Sequence, residues 1–142
     1  MKLLKITTLL IVVAMLLYAC PKLESQDITV VNKSEKRIDF QPYFLTTNPT
    51  HEDTLFQCGK LVFGVQADTL RRLPAGTHSD WKNEMKGYSF LQILIMDAEV
   101  YDMYITAPCD TIRKYVPVLH RYQLTLEDLQ RMNWTVVYPP EE

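Results

Sequence analysis

The chain has 142 residues, 47% of them hydrophobic and 23% charged, which is the composition of a folded protein and the length of one ordinary domain. Fifteen Lys and Arg stand against seventeen Asp and Glu, a net charge of −2, so no basic field is present to attract nucleic acid.

The N-terminus comes first and decides the location. Lys2 and Lys5 precede an uncharged apolar run, Leu9 to Ala19, and Cys20 follows directly. A basic start, a short apolar stretch and a small residue before the break form a secretory signal. The run has 11 residues, whereas a bilayer span needs roughly 20, and Pro21 with Lys22 stops any continuation. Leu17-Tyr18-Ala19-Cys20 resembles the lipobox of bacterial lipoproteins, with Ala19 before the cleavage point and Cys20 as the acceptor. That resemblance implies removal of residues 1–19 and a lipid anchor, with palmitate-type chains, on Cys20. A plain secretory signal is the other reading. Each buried methylene of an acyl chain contributes about 0.8 kcal/mol, so several chains hold a protein stably on a membrane. The expected location is the bacterial outer membrane, its periplasmic or surface face left open.

Residues 20–27 are polar and read as a lipidated tether, and 28–140 as a single β-rich domain. Ile28-Thr29-Val30-Val31 is a β-branched strand, and the charged turn Asn32 to Arg37 leads into Ile38 to Leu45, so a hairpin is the simplest pairing. Pro42 cannot donate to a ladder, which makes the second strand an edge or gives it a bulge. Thr46 to Lys60 reads as a surface loop, Leu61 to Val65 as a strand weakened by Gly64, and Leu70 to Leu73 as a further short strand. Pro74-Ala75-Gly76 suits a type I turn. Trp81 pins the polar stretch after it to the core.

Phe90 to Met96 is apolar on both faces, which is the mark of a central strand; Asp97-Ala98-Glu99 ends it. Cys109 to Lys114 reads as a short helix with Pro108 in its first turn, and Val118 to Tyr122 as a strand. Thr125 is placed to cap a helix through Asn133, with Asp128 at the capping-box position and Leu124 and Leu129 as its hydrophobic staple. Trp134, Val136 and Tyr138 then share one face of a last strand. The pattern predicts a mostly β protein, an antiparallel β-sandwich (Ig-like or similar) with one or two short helices near the C-terminus.

Arg121-Tyr122, Leu124 to Leu129, Met132-Asn133-Trp134 and Tyr138-Pro139 resemble the C-terminal signature of small lipoproteins from Bacteroides-type gut bacteria. The Asn32-Lys33-Ser34 and Leu73-Pro74-Ala75-Gly76 turns add to the likeness. The resemblance implies location and fold class; it carries no catalytic residues, because such proteins have no established activity.

Candidate chemistry is sparse. His51, His78 and His120 are widely spaced, no Cys-x-x-Cys pair occurs, and four glycines make no phosphate-cradling loop. Neither a metal nor a cofactor is expected. Cys58 and Cys109 either form a disulfide, which an exported compartment permits, or pack separately as small hydrophobes. A bridge closing a loop of about 50 residues contributes roughly 4 kcal/mol. Tyr88, Asp97, Glu99, Tyr101, Asp102 and Tyr104 are the candidate ligand surface, since aromatic planes beside carboxylates stack on sugars. The bland reading of those tyrosines is as strand and core residues.

Three functional expectations follow: a non-catalytic module binding an envelope protein or a glycan; a carbohydrate-active or other hydrolase using acids around Asp97–Asp102; or a structural or inhibitory partner of another envelope protein.

Overall fold

The two faces of Phe90–Asp97 organise the molecule. In a computed structural model describing residues 27–76 and 80–140, this strand, β5, is buried on both sides from Leu91 to Met96. The signal segment, Cys20, the tether up to Gln26 and His78 lie outside the described residues. Ahead of β5 come β1 (Ile28–Asn32), β2 (Ile38–Leu45), β3 (Phe63–Val65), β4 (Thr69–Leu73) and a helical turn, α1 (Trp81–Glu84). After it come α2 (Ala98–Tyr104), α3 (Cys109–Tyr115), β6 (Val118–Leu124), α4 (Leu126–Arg131) and β7 (Thr135–Tyr138).

The strands form two sheets. One is antiparallel, in the order β3-β2-β5-β6; the other runs β4-β1-β7. Within the second, β1 pairs antiparallel with β4 and parallel with β7, Val30 standing opposite Val136. The chain is thus mostly β, as expected, but one of its sheets is mixed and not purely antiparallel. Among the described residues four short α-helices stand in place of the expected one or two, and α1 and α2 precede the two foreseen. The hairpin expected between β1 and β2 is also absent, because the strands belong to different sheets.

Asn32 explains the crossing. Its side chain is fully buried and donates to the carbonyls of Lys36 (2.7 Å), Val65 (3.2 Å) and Gln66 (3.1 Å), while its Oδ1 accepts from the amide and hydroxyl of Ser34. Those bonds satisfy turn and strand-end backbone that a hairpin ladder would otherwise satisfy.

The apolar faces of both sheets share one core. Ile28 and Val30 of β1 and Val136 of β7 meet Ile38 and Phe40 of β2 and Leu91, Ile93 and Ile95 of β5. Burial of each such side chain contributes about 1.5–3 kcal/mol. Leu129 and Trp134 close one side of this core. The α4 cap is complete: the Thr125 hydroxyl accepts from the Asp128 amide, and the Asp128 carboxylate accepts from the Thr125 amide at 3.0 Å. The Thr125 hydroxyl also donates to the Asp128 carboxylate at 2.7 Å, and this bond, with the Thr125 amide second, holds the Asp128 carboxyl below the usual carboxylate range.

The opposite face of the four-stranded sheet is polar and buried at once. Asp39, Gln41 and Tyr43 of β2 and Gln92 of β5 point there, beside Leu94 and Met96. A cap made of the 46–62 loop, α2 and α3 covers them, with Phe56, Met96, Tyr101, Ile112 and Val116 as its small core. The α2 helix starts on Asp97, whose carboxylate accepts from the Val100 amide at 3.0 Å. Asp97 therefore does more than end the strand. A disulfide between Cys58 and Cys109, Cα atoms 6.0 Å apart, ties the loop to α3.

The loop has no ladder to satisfy its carbonyls, so side chains do it. Gln41 donates to Gln57 O (2.8 Å) and its Oε1 accepts from the Gln57 amide (2.7 Å), the exchange a neighbouring strand would make. Tyr43 and Gln92 both donate to Asp53 O, and Arg113 Nε donates to Phe56 O at 2.9 Å.

Candidate functional site

Among the described residues, strand β2 is central along its first half and open along its second. It pairs with β5 from Ile38 to Leu45, but β3 accompanies only Ile38 to Phe40. Leu45 O accepts from the Ser89 amide on the β5 side. Backbone directions alternate along a strand, so the backbone groups of Pro42 and Phe44 point to the side that β3 has left. Proline is tolerated here because its missing N–H faces no ladder. The edge that Pro42 announced in the sequence is real, though confined to half the strand.

A groove follows that open edge. Two adjoining cavities of about 350 and 330 Å³ share Pro42, Phe44, Lys60 and Trp81, each within the size range of ligand pockets. Tyr88 and Leu91 extend one end, and Leu61, Phe63 and Leu73 the other. The aromatic wall is fixed in place. Trp81 Nε1 donates to Leu73 O at 3.1 Å, Tyr88 stacks on Phe44 at 4.6 Å, and Phe63 stacks on Phe40 at 5.5 Å. Leu61 is 74% exposed at the rim.

The residues nominated from sequence do not converge. Tyr88 lines the groove, 43% exposed. Glu99, Tyr101, Asp102 and Tyr104 belong to α2, and Asp97 caps it, at the far end of the sheet. Leu45 faces Phe90 at one end of the β2–β5 ladder and Ile38 faces Asp97 at the other, a separation of roughly 24 Å at strand rise. Asp97 is occupied as the α2 cap. Tyr101 is buried against Phe56, and that burial raises its phenol above the ordinary value. Tyr104 stacks on Tyr115 at 5.1 Å, and Glu99 is exposed on the helix surface.

Asp102 does meet a second acid. Arg37 Nη2 lies 2.7 Å from Asp102 and 3.5 Å from Asp39. Asp39 is buried opposite Gly64, where an added Cβ would stand 3.0 Å from its carboxylate; β3 carries glycine there for that reason. Burial pushes the Asp39 carboxyl up and Arg37 opposes it. The arginine between the two carboxylates makes this an ion cluster holding α2 to β2. The cavity at this end, about 130 Å³, is lined by Arg37 and Asp97 and reached by neither Asp39 nor Asp102.

Among the described residues no group of three or more His, Cys, Asp or Glu could hold a metal ion. Nor is any helix there long and apolar enough to cross a membrane. Comparison with known protein families, curated proteins and solved structures finds no match to this chain. The site is therefore argued from its geometry. Sequence reasoning missed Phe44, Lys60, Leu61 and Phe63; Pro42 was the one signal that pointed to them.

Proposed function

We propose that this protein is a lipid-anchored bacterial envelope module that binds a partner and does no catalysis, its two sheets forming a β-sandwich. Lipidation of Cys20, the outer-membrane location and kinship with the small lipoproteins of Bacteroides-type bacteria belong to the same proposal, supported by the Leu17–Cys20 lipobox and the C-terminal signature. The observation that carries the binding role is the groove along the open edge of β2. It combines a rigid aromatic wall, an uncovered Leu61 and backbone groups facing outward. Catalysis gains no comparable support, since the two acids brought together are neutralised by Arg37 and one is buried.

The test compares the full chain with its Leu61→Asp variant on a glycan array and in cross-linking to envelope extracts. A leucine that becomes buried on binding contributes about 1.5–3 kcal/mol, so the variant is expected to lose roughly tenfold or more in capture. Capture that Leu61→Asp leaves intact, or blank results with both chains, would overturn the role assigned to the groove.

A further inference from the structure

We propose that the corner between α2 and α3 rests in the interface of the bilayer that holds Cys20, with its apolar side chains inserted among the lipids. This rests on the lipid anchor proposed above and goes further by naming the surface of the domain that meets the membrane.

The corner is apolar, exposed and held in place. Met103 is 69% exposed, Ile105 54% and Tyr115 48%, and Val118 is exposed after them. Tyr104, between Met103 and Ile105 in the chain, stacks on Tyr115 at 5.1 Å and so joins the contributions of the two helices. Apolar residues exposed singly need no explanation, whereas a group of them marks a contact surface. The backbone of the corner is tied down. The Ala107 amide donates to Tyr104 O at 2.8 Å, Ile112 and Val116 are buried, and Cys109 is bonded to Cys58. None of these exposed side chains lines the groove or the smaller cavity. Leu119 stands apart, in the wall of that smaller cavity.

The composition fits a lipid interface. Tyrosine places an apolar ring among acyl chains and its hydroxyl among headgroups, and a lysine keeps its ammonium in water while its stem lies on apolar surface. Here the Lys114 ammonium lies over the Tyr115 ring at 5.1 Å. Glu99 and Asp110 are exposed nearby and Asp102 is paired with Arg37, so the corner has no basic excess. Contact therefore depends on apolar insertion and not on lipid charge.

The anchor reaches far enough. Asn32 bonds to Val65 O, Val65 faces Ile38, and Ile38 faces Asp97, so the Asn32 end of β1 lies level with the start of α2. Ile28, where the tether joins, is roughly 13 Å back along β1 at strand rise. Seven steps of chain from Cys20 to Asp27 extend to about 24 Å, more than that distance. The domain can thus turn its corner to the membrane with the tether running alongside.

The experiment uses the full chain, acylated in cells and reconstituted into phosphatidylcholine–phosphatidylethanolamine vesicles that contain a diazirine-bearing phosphatidylcholine. After illumination, lipid adducts are mapped by mass spectrometry. Adducts are expected at Met103, Ile105 and Tyr115 well in excess of those at Leu70, which is 55% exposed on β4 of the other sheet. Met103→Asp with Ile105→Asp should lower adducts on the corner about tenfold; the wild-type map itself needs no variant to fold. High salt should leave the wild-type map unchanged. Adducts at the corner no more frequent than at Leu70, in a chain that floats with the vesicles, overturn this proposal alone. A chain neither acylated nor floating overturns the anchor and this proposal with it. Adducts that disappear in high salt refute insertion, and a corner cross-linked to a second copy instead of lipid makes it an interface between chains.

Discussion

The two faces of the four-stranded sheet are covered by different kinds of structure. On one, Ile38, Phe40, Leu91, Ile93 and Ile95 meet a second sheet whose own ladders satisfy its backbone, so apolar side chains suffice. On the other, Gln41, Tyr43 and Gln92 lie under an irregular loop whose carbonyls have no ladder. Regular structure can be held by hydrophobic burial alone, whereas irregular chain must be given hydrogen-bond partners one carbonyl at a time. The fit is incomplete: Gln92 Oε1 is buried without a partner among the described residues, a cost of about 1–3 kcal/mol. The covalent tie from Cys58 to Cys109 stands on this face, where the buried apolar cluster is the smaller of the two.

If the apolar face carries the fold, Phe40→Ala should have the largest effect, about 3–5 kcal/mol of global stability in denaturant unfolding. Replacing both Cys58 and Cys109 with Ser should cost about 2–4 kcal/mol, and amide exchange should accelerate first in the cap, at Gln57 and Lys60, before β5. Equal acceleration in both regions would erase the distinction between the faces. Gln41→Leu keeps the volume and removes both bonds to Gln57; we expect a loss of about 1–3 kcal/mol, again with the Gln57 amide released.

Two titrations sharpen the same contrast. Burial, with the Asp53 charge second, pushes the Tyr43 phenol up to about 12. Its stabilising contribution is therefore complete below pH 10 and lost as pH rises from 10 through 12. Absorbance at alkaline pH should show one late-ionising phenol removed by Tyr43→Phe; Tyr122, also pushed to about 12 by burial, should remain. The smallest effect belongs to Asp39, whose carboxyl is raised by burial. Its contribution is present below the ordinary carboxylate value and declines as pH rises through its folded value. Thermal melts of Asp39→Asn should therefore gain on wild type as pH rises through the carboxylate range.

Local signals were legible where a few neighbouring residues decide the outcome. The double-faced apolar run of β5, the Thr125–Asp128 capping box and the Pro42 edge could each be read from short stretches. Partner choice could not. Alternation says which side of β1 is buried, but it does not say that Val30 stands beside Val136 rather than across a hairpin from β2. The α2 helix was hidden because Asp97 ends a strand and caps a helix with the same side chain. The groove was hidden for a plainer reason: Phe44, Lys60, Leu73, Trp81 and Tyr88 come from separate segments. Only pairing of the strands brings them together.

All of this is proposed to take place on a membrane surface, held there by Cys20. Metabolic labelling with an alkyne analogue of palmitate, in cells making either the wild-type chain or Cys20→Ser, tests that most directly. Label on the wild-type protein and none on the variant is the expected result. A wild-type chain as free of label as Cys20→Ser would contradict the anchor and the envelope role built on it.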